Sequence, residues 1–181
     1  DSALLITLYN DLGEAYEGQY AYGEALVWYE KALILAKKKK NMTGQAKVLQ
    51  NVGDSLRLSG RAADSIWYYE QALAISSETG DRQGEASFLS SLGLAFFALG
   101  QYQQAIDFHQ RSLEIAREVG DFGIKINALE DLGNAYDFID QHQQAIDFHQ
   151  QSLELSQKVG DRKGEARSLG GLGNVYYSLG Q

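Results

Sequence analysis

Proline and cysteine are missing altogether from the 181 residues, and each absence excludes something. Without cysteine there can be no disulfide, no thiolate zinc site and no thiol nucleophile, which fits a reducing compartment and leads to the expectation of a cytoplasmic protein. Long apolar runs are also missing: none approaches the roughly 18 residues that a membrane span requires, so no membrane partner is expected. Histidine is scarce. Of His109, His142 and His149, the last two lie seven apart on one predicted helix, a poor spacing for joint metal ligation compared with three or four. His109 and His149 share one position of a repeat, and both are expected to be satisfied between helices. Neither a metal nor any other cofactor is expected.

Positive charge is in short supply as well. The formal net charge is −8, and such a surface repels a phosphate backbone unless a local basic stripe exists. The one basic run, Lys37 to Lys40, falls where a helix should end, and lysines there complement the negative end of the helix dipole. Nucleic acid is therefore not an expected partner. The glycines precede no Lys-Ser or Lys-Thr pair and follow no strand, so they do not form a phosphate loop. Ser112 and Ser152 stand one turn beyond a histidine but occupy a small-residue packing slot, with no third group to orient a base. No catalytic residue is assigned.

What the chain does have is a period. Gly13, Gly53, Gly93, Gly133 and Gly173 sit forty residues apart, each after Leu or Val. A fixed period of this size means that each unit is one supersecondary element that must stack on its neighbours to bury its apolar face. In residues 81 to 120, Ala86, Leu89, Leu92, Phe96 and Leu99 follow the three- and four-residue steps of one helix face. Gly100 is placed to end that helix. A second amphipathic run follows through Ala105, Phe108, His109, Ser112, Leu113 and Ala116, ending at Gly120, and Asp121 is suited to cap the next helix. Gly93, with Ala105 and Ser112 opposite, reads as the place where the two helices of a hairpin approach most closely. On the surface, Asp107 with Arg111 and Glu154 with Lys158 are expected to pair.

The expected fold is all-α: a single array over 1–181, with units of about 1–40, 41–80, 81–120 and 121–160 and the first helix of a fifth unit in 161–181. The chain begins without Met and stops at Leu179-Gly180-Gln181, in the turn before a second helix, so it reads as a piece of a longer array, with Leu172 and Tyr176 of unit five expected to be bare.

The large residue, Leu-Gly, aromatic, then small-aromatic-small series resembles the tetratricopeptide repeat. Unit one supplies Tyr9, Leu12, Gly13, Tyr16, Ala25, Tyr29 and Ala32; unit two supplies Leu49, Val52, Gly53, Leu56, Ser65, Tyr69 and Ala72. The forty-residue length, with Leu132-Gly133-Asn134, Leu172-Gly173-Asn174 and Gly164-Glu165-Ala166-Arg167, is similar to the Leu-Gly-Asn variant of Pins-type proteins, kinesin light chains and bacterial regulatory arrays. The resemblance implies a right-handed superhelical α-solenoid of about nine helices and a non-catalytic scaffold that binds a peptide or partner helix in a concave groove. It also implies that Asn134, Asn174 and Arg167 help to hold a peptide, while Glu14, Asp54, Leu94, Lys47 and Ser87 depart from the family pattern.

Counting turns from each Leu-Gly pair gives the residues expected to face that groove. They are Thr7, Asn10, Glu14 and Glu17; Lys47, Gln50, Asp54 and Arg57; Ser87, Ser90, Leu94 and Phe97; Asn127, Glu130, Asn134 and Asp137; and Arg167, Gly170, Asn174 and Tyr177. Unit three alone places apolar residues at the last two positions, so Leu94 and Phe97 read either as a binding anchor or as packing against a neighbouring helix. Residues 121 to 160 carry seven acids against two bases, which favours a peptide whose apolar anchor is flanked by basic residues. Two rival readings are a regulatory arm of a signalling enzyme or transcription factor, and a structural solenoid that self-associates through its C-terminal end.

Overall fold

The computed structural model describes residues 2–180. Among them are nine α-helices and no strand: α1 (Ser2–Glu17), α2 (Tyr22–Lys38), α3 (Met42–Leu58), α4 (Ala62–Thr79), α5 (Arg82–Ala98), α6 (Tyr102–Val119), α7 (Phe122–Phe138), α8 (His142–Val159) and α9 (Arg162–Ser178). Consecutive helices pack as antiparallel hairpins. Neighbouring odd-numbered helices also touch one another, whereas neighbouring even-numbered helices do not. The stack therefore curves with α1, α3, α5, α7 and α9 on the inner side.

Four of the first helices in later units begin alike. Asn41 accepts from the Gly44 amide at 2.9 Å, Asp81 from Gly84 at 2.9 Å, Asp121 from Ile124 at 2.8 Å and Asp161 from Lys163 at 3.1 Å, each satisfying an orphan amide of the first turn. Between helices, the chain takes a left-handed residue once every twenty positions: Gly60, Gly80, Gly100, Gly120, Gly160 and Gly180, and also Tyr20, Lys40 and Asp140 with φ of 60°, 53° and 58°. Side-chain-bearing residues thus carry out a glycine's task at three turns, because the hairpin geometry fixes the backbone there whatever the side chain.

The repeated glycine has a more particular role than close helix approach. A β-carbon on Gly13 would run into the ring of Tyr29, one on Gly53 into Tyr69, and one on Gly93 or Gly133 into the rings of His109 and His149, at 2.5 and 2.7 Å. The first helix leaves a slot, and the second fills it with a flat ring that is 0 to 1% exposed. The slot does not satisfy the histidines: neither ring nitrogen of His109 or His149 has a hydrogen-bond partner, contrary to expectation. Gly173 meets nothing within 4 Å. Leu172 is half-buried against Ala145, Ile146 and Val175, so it is not bare as expected, while Tyr176 is exposed. The expected surface pairs Asp107–Arg111 and Glu154–Lys158 do not form; Arg82 instead reaches both Glu85 and Glu118.

Two stability predictions follow from the slot and the turns. Gly133→Ala should cost about 1 to 3 kcal/mol through overpacking, whereas Gly173→Ala should stabilise by up to about 1 kcal/mol through helix propensity. Urea unfolding of the two variants side by side checks both signs. Lys40→Gly and Tyr20→Gly should each raise stability by up to about 1 kcal/mol, strain relief being offset in part by the looser unfolded chain. A thermal melt that moves down for both would contradict the turn account.

Candidate functional site

Much of the polar character of the inner face is spent on joining units. Asn51 donates to Asn10 at 2.8 Å, Gln50 donates to the Ser87 and Ser91 hydroxyls at 3.2 Å, and Arg167 donates to Glu130 at 2.6 Å and to Asn127 at 3.1 Å. Lys47 lies 3.6 Å from Glu14, and Ser55 donates to Glu17. The hydrogen-bonded partners are 37 to 41 residues apart, one repeat along, so these side chains form rungs across the inner curve. Asp54 is held inside its own unit by the Tyr69 hydroxyl at 2.8 Å and by Arg57 at 3.3 Å, and Asp137 lies 2.8 Å from His142.

Between α5, α7 and α9, beside the rung made by Arg167, is a hollow of about 420 Å³. It gathers Ser90, Leu94, Asn127, Glu130, Asn134, Arg167 and Asn174 from the expected groove residues, and adds Asp131, His149 and Gly171, which the pattern of turns did not pick out. A second hollow of similar volume, between α3 and α5, is lined by Lys47, Gln50 and Ser87. Thr7 and Asn10, with Lys47, border a smaller one between α1 and α3. Asp54, Arg57, Asp137, Gly170 and Tyr177 line none of these.

Phe97 requires a correction. Its ring is part of a three-ring cluster, 5.2 Å from Tyr102 and 5.0 Å from Phe138 centre to centre, and packs on the core between α6 and α7. One helical turn separates it from Leu94, but that turn carries it round to the next helix pair. Leu94 faces the hollow and Phe97 does not.

The hollow owes its shape to Gly171. At that position the earlier units carry Asp11, Asn51, Ser91 and Asp131, and a β-carbon on Gly171 would strike the His149 ring. In unit four Asp131 fills the equivalent place and stands 3.7 Å from the His109 ring. In unit five the missing side chain leaves His149 walled in, with no partner on either nitrogen, at the edge of an open space. The sequence signal for this was the Gly170-Gly171 pair, an extra glycine outside the forty-residue register.

Electrostatics at this point are set by desolvation. Burial, reinforced by the neighbouring Glu130 charge, pushes the Asp131 carboxyl up to about 7, while burial pulls His109 down to about 4 and His149 downward as well. The contact between Asp131 and His109 is thus a meeting of two groups that burial drives towards neutrality, not an ion pair. Glu130, raised by burial, is held by Arg167 and by the Ser152 and Ser168 hydroxyls at 3.4 and 3.3 Å. Among the described residues no group of three or more acidic or histidine side chains is placed to hold a metal ion. Among the described residues no helix is long and apolar enough to cross a membrane.

Tetratricopeptide repeat profiles match residues 5–39, 44–118, 84–158 and 124–181. No curated protein sequence matches the chain. Solved structures with the same right-handed solenoid are numerous. The kinesin light chain TPR-like repeats of Podosopora anserina are 18% identical with a TM-score of 0.78, over 97% of this chain and 87% of that one. Aspartyl phosphate phosphatase F of Bacillus subtilis is 18% identical with a TM-score of 0.88, over 99% of this chain and 47% of that one. A Rap protein complexed with competence and sporulation factor is 15% identical with a TM-score of 0.86, over 99% and 50%. The chain spans about half the length of the latter two.

The opposed shifts give a test by pH. Between about pH 4 and 6.5 the folded state holds a proton on Asp131 that the unfolded chain has lost, so this group makes stability fall as pH rises. Over the same window the unfolded chain protonates His109 while the fold keeps it neutral, and the downward shift of His149 acts in the same sense, so they make stability rise. Asp131→Asn removes the falling contribution alone. Its urea-unfolding stability should climb more steeply from pH 4 to 6.5 than that of the parent; parallel profiles would rule out the desolvated carboxyl.

Proposed function

Because the chain belongs to the tetratricopeptide repeat family, we propose that it is a non-catalytic protein-interaction scaffold holding a peptide or partner helix along its inner curve. The observation that carries this reading is the hollow between α5, α7 and α9, where the apolar side chain of Leu94 stands beside acids and amides. Leu94 receives an apolar anchor residue. Asn127, Asn134 and Asn174 offer amide donors and acceptors to peptide backbone, as ladder-free extended chains require. Glu130 is neutralised by Arg167, and Asp131, which also lines the hollow, is the carboxyl offered to a lysine or arginine of the ligand.

Similarity to a Rap conjugation gene regulator solved in complex with the Phr* peptide supports a peptide as the ligand class. Similarity to a signal transduction ATPase of Pyrococcus horikoshii with a tetratricopeptide repeat sensor supports a second use of the same groove, as the sensing arm of a larger protein. In either reading this chain acts through shape and charge, with no bond made or broken.

Fluorescence anisotropy with labelled 12-residue peptides tests the reading. A peptide with a central leucine flanked by lysine and arginine should bind, and its counterpart flanked by glutamate should not. Leu94→Glu and Asp131→Asn should each weaken binding by about tenfold or more. Affinity should rise with pH through 7, since the ionised Asp131 is the form a cation prefers. Equal binding of the two peptides, or indifference to Leu94→Glu, would sink the assignment.

A further inference from the structure

A larger hollow, of about 760 Å³, lies on the opposite side of the stack, between α2 and α4 with α3 as its floor. Leu26 and Leu33 line one wall, Trp67 and Tyr68 the other, and Leu56 the floor. The repeat explains why it is there. Units one, three, four and five place an aromatic ring at the position of Leu56: Tyr16, Phe96, Tyr136 and Tyr176. In units three and four that ring stacks flat on a ring of the second helix, Phe96 on Phe108 at 5.2 Å and 8°, and Tyr136 on Phe148 at 5.3 Å and 5°. Unit two has no ring to stack. Tyr68 instead stands edge-on to Trp67 at 4.9 Å and 87°, and both line the hollow together with Leu56.

The surroundings differ in the same two units. Val27, Ile34 and Trp67 are 52%, 61% and 53% exposed on the outer faces of α2 and α4. The equivalents of Val27 and Trp67 further along are Asp107 and Asp147, and those of Ile34 are Glu114 and Glu154, as expected of a solvated outer surface. On the rim, Glu30 and Lys37 sit two helical turns apart on α2, and neither has an ion-pair partner among the described residues, whereas Arg61 and Asp64 opposite pair with each other at 2.8 Å.

We propose that this outer hollow is a second docking site, taking an amphipathic helix of a partner protein through one aromatic side chain. The ring enters the hollow over Leu56, where it can stack on Tyr68 as Phe96 does on Phe108. The charges define the rest of the ligand: a lysine or arginine opposite Glu30 and a glutamate opposite Lys37, seven residues apart with the aromatic residue between them. A helix lying in a furrow between two helices, read at i, i+3 or i+4 and i+7, is a recurrent mode of recognition, and buried aromatic anchors supply most of the energy. The site is separate from the inner groove, on the other side of the stack.

The test uses the full chain and a designed alanine-based helical peptide of 18 residues carrying Lys, Phe and Glu at i, i+4 and i+7, followed by tryptophan fluorescence of the protein. Saturable binding is expected, lost when the peptide phenylalanine becomes alanine. Leu56→Phe, which restores the ring found in the other units, should weaken binding at least tenfold while raising Tm by about 2–4 °C. Trp67→Ala should weaken it by about tenfold, Glu30→Lys should be rescued by the charge-swapped peptide, and Leu94→Glu should leave binding unchanged. The proposal is overturned if Leu56→Phe binds the peptide as the parent does or lowers Tm. It is equally overturned if free indole saturates the site while the peptide does not, or if the chain dimerises through this face and Trp67→Ala abolishes the dimer.

Discussion

The structure depends on one contact made four times: a flat ring on the second helix of a hairpin lying over a glycine on the first. Tyr29 over Gly13, Tyr69 over Gly53, His109 over Gly93 and His149 over Gly133 each fill a slot that any β-carbon would close. The contact fixes the spacing and register of the two helices, and the four complete hairpins repeat it at the same position. It is a steric requirement and not a polar one, which is why histidine can replace tyrosine there although its nitrogens then go without partners. Desolvated imidazoles of this kind keep themselves neutral.

From that contact come the two faces. With the odd helices touching one another and the even helices apart, the inner curve is short and the outer curve long. On the short side, adjacent units are close enough for side chains one repeat apart to join, and they do so through Asn10–Asn51, Gln50–Ser87 and Glu130–Arg167. Openings arise where a unit omits its expected side chain. Gly171 borders one on the inner side, and Leu56, where the other units carry a ring, lines one outside. In a modular fold, specificity enters through departures from the repeat, since the repeated positions are occupied with holding the stack together.

Part of the site was legible in advance. The Leu-Gly register put Ser90, Leu94, Asn127, Glu130, Asn134, Arg167 and Asn174 on the inner side, and the structure brings them round one hollow. Phe97 was not separable from Leu94 by counting turns, because a residue at the edge of a helix face can turn to either neighbour, and only the positions of Tyr102 and Phe138 decide it. Asp131 and His149 were missed because they sit on the buried sides of their helices, and they reach the hollow only where the adjacent unit has a glycine.

The sequence by itself determined the period, the helical hairpins, the capping of α3, α5, α7 and α9 and the identity of the slot glycine, since each rests on local propensity or on a steric demand repeated every forty residues. Which polar groups are consumed by neighbours, which remain free, and where a missing side chain becomes an opening were decided only by the tertiary structure. Those properties belong to pairs and triples of units whose residues are forty or eighty positions apart, and their meeting depends on the curvature of the whole stack.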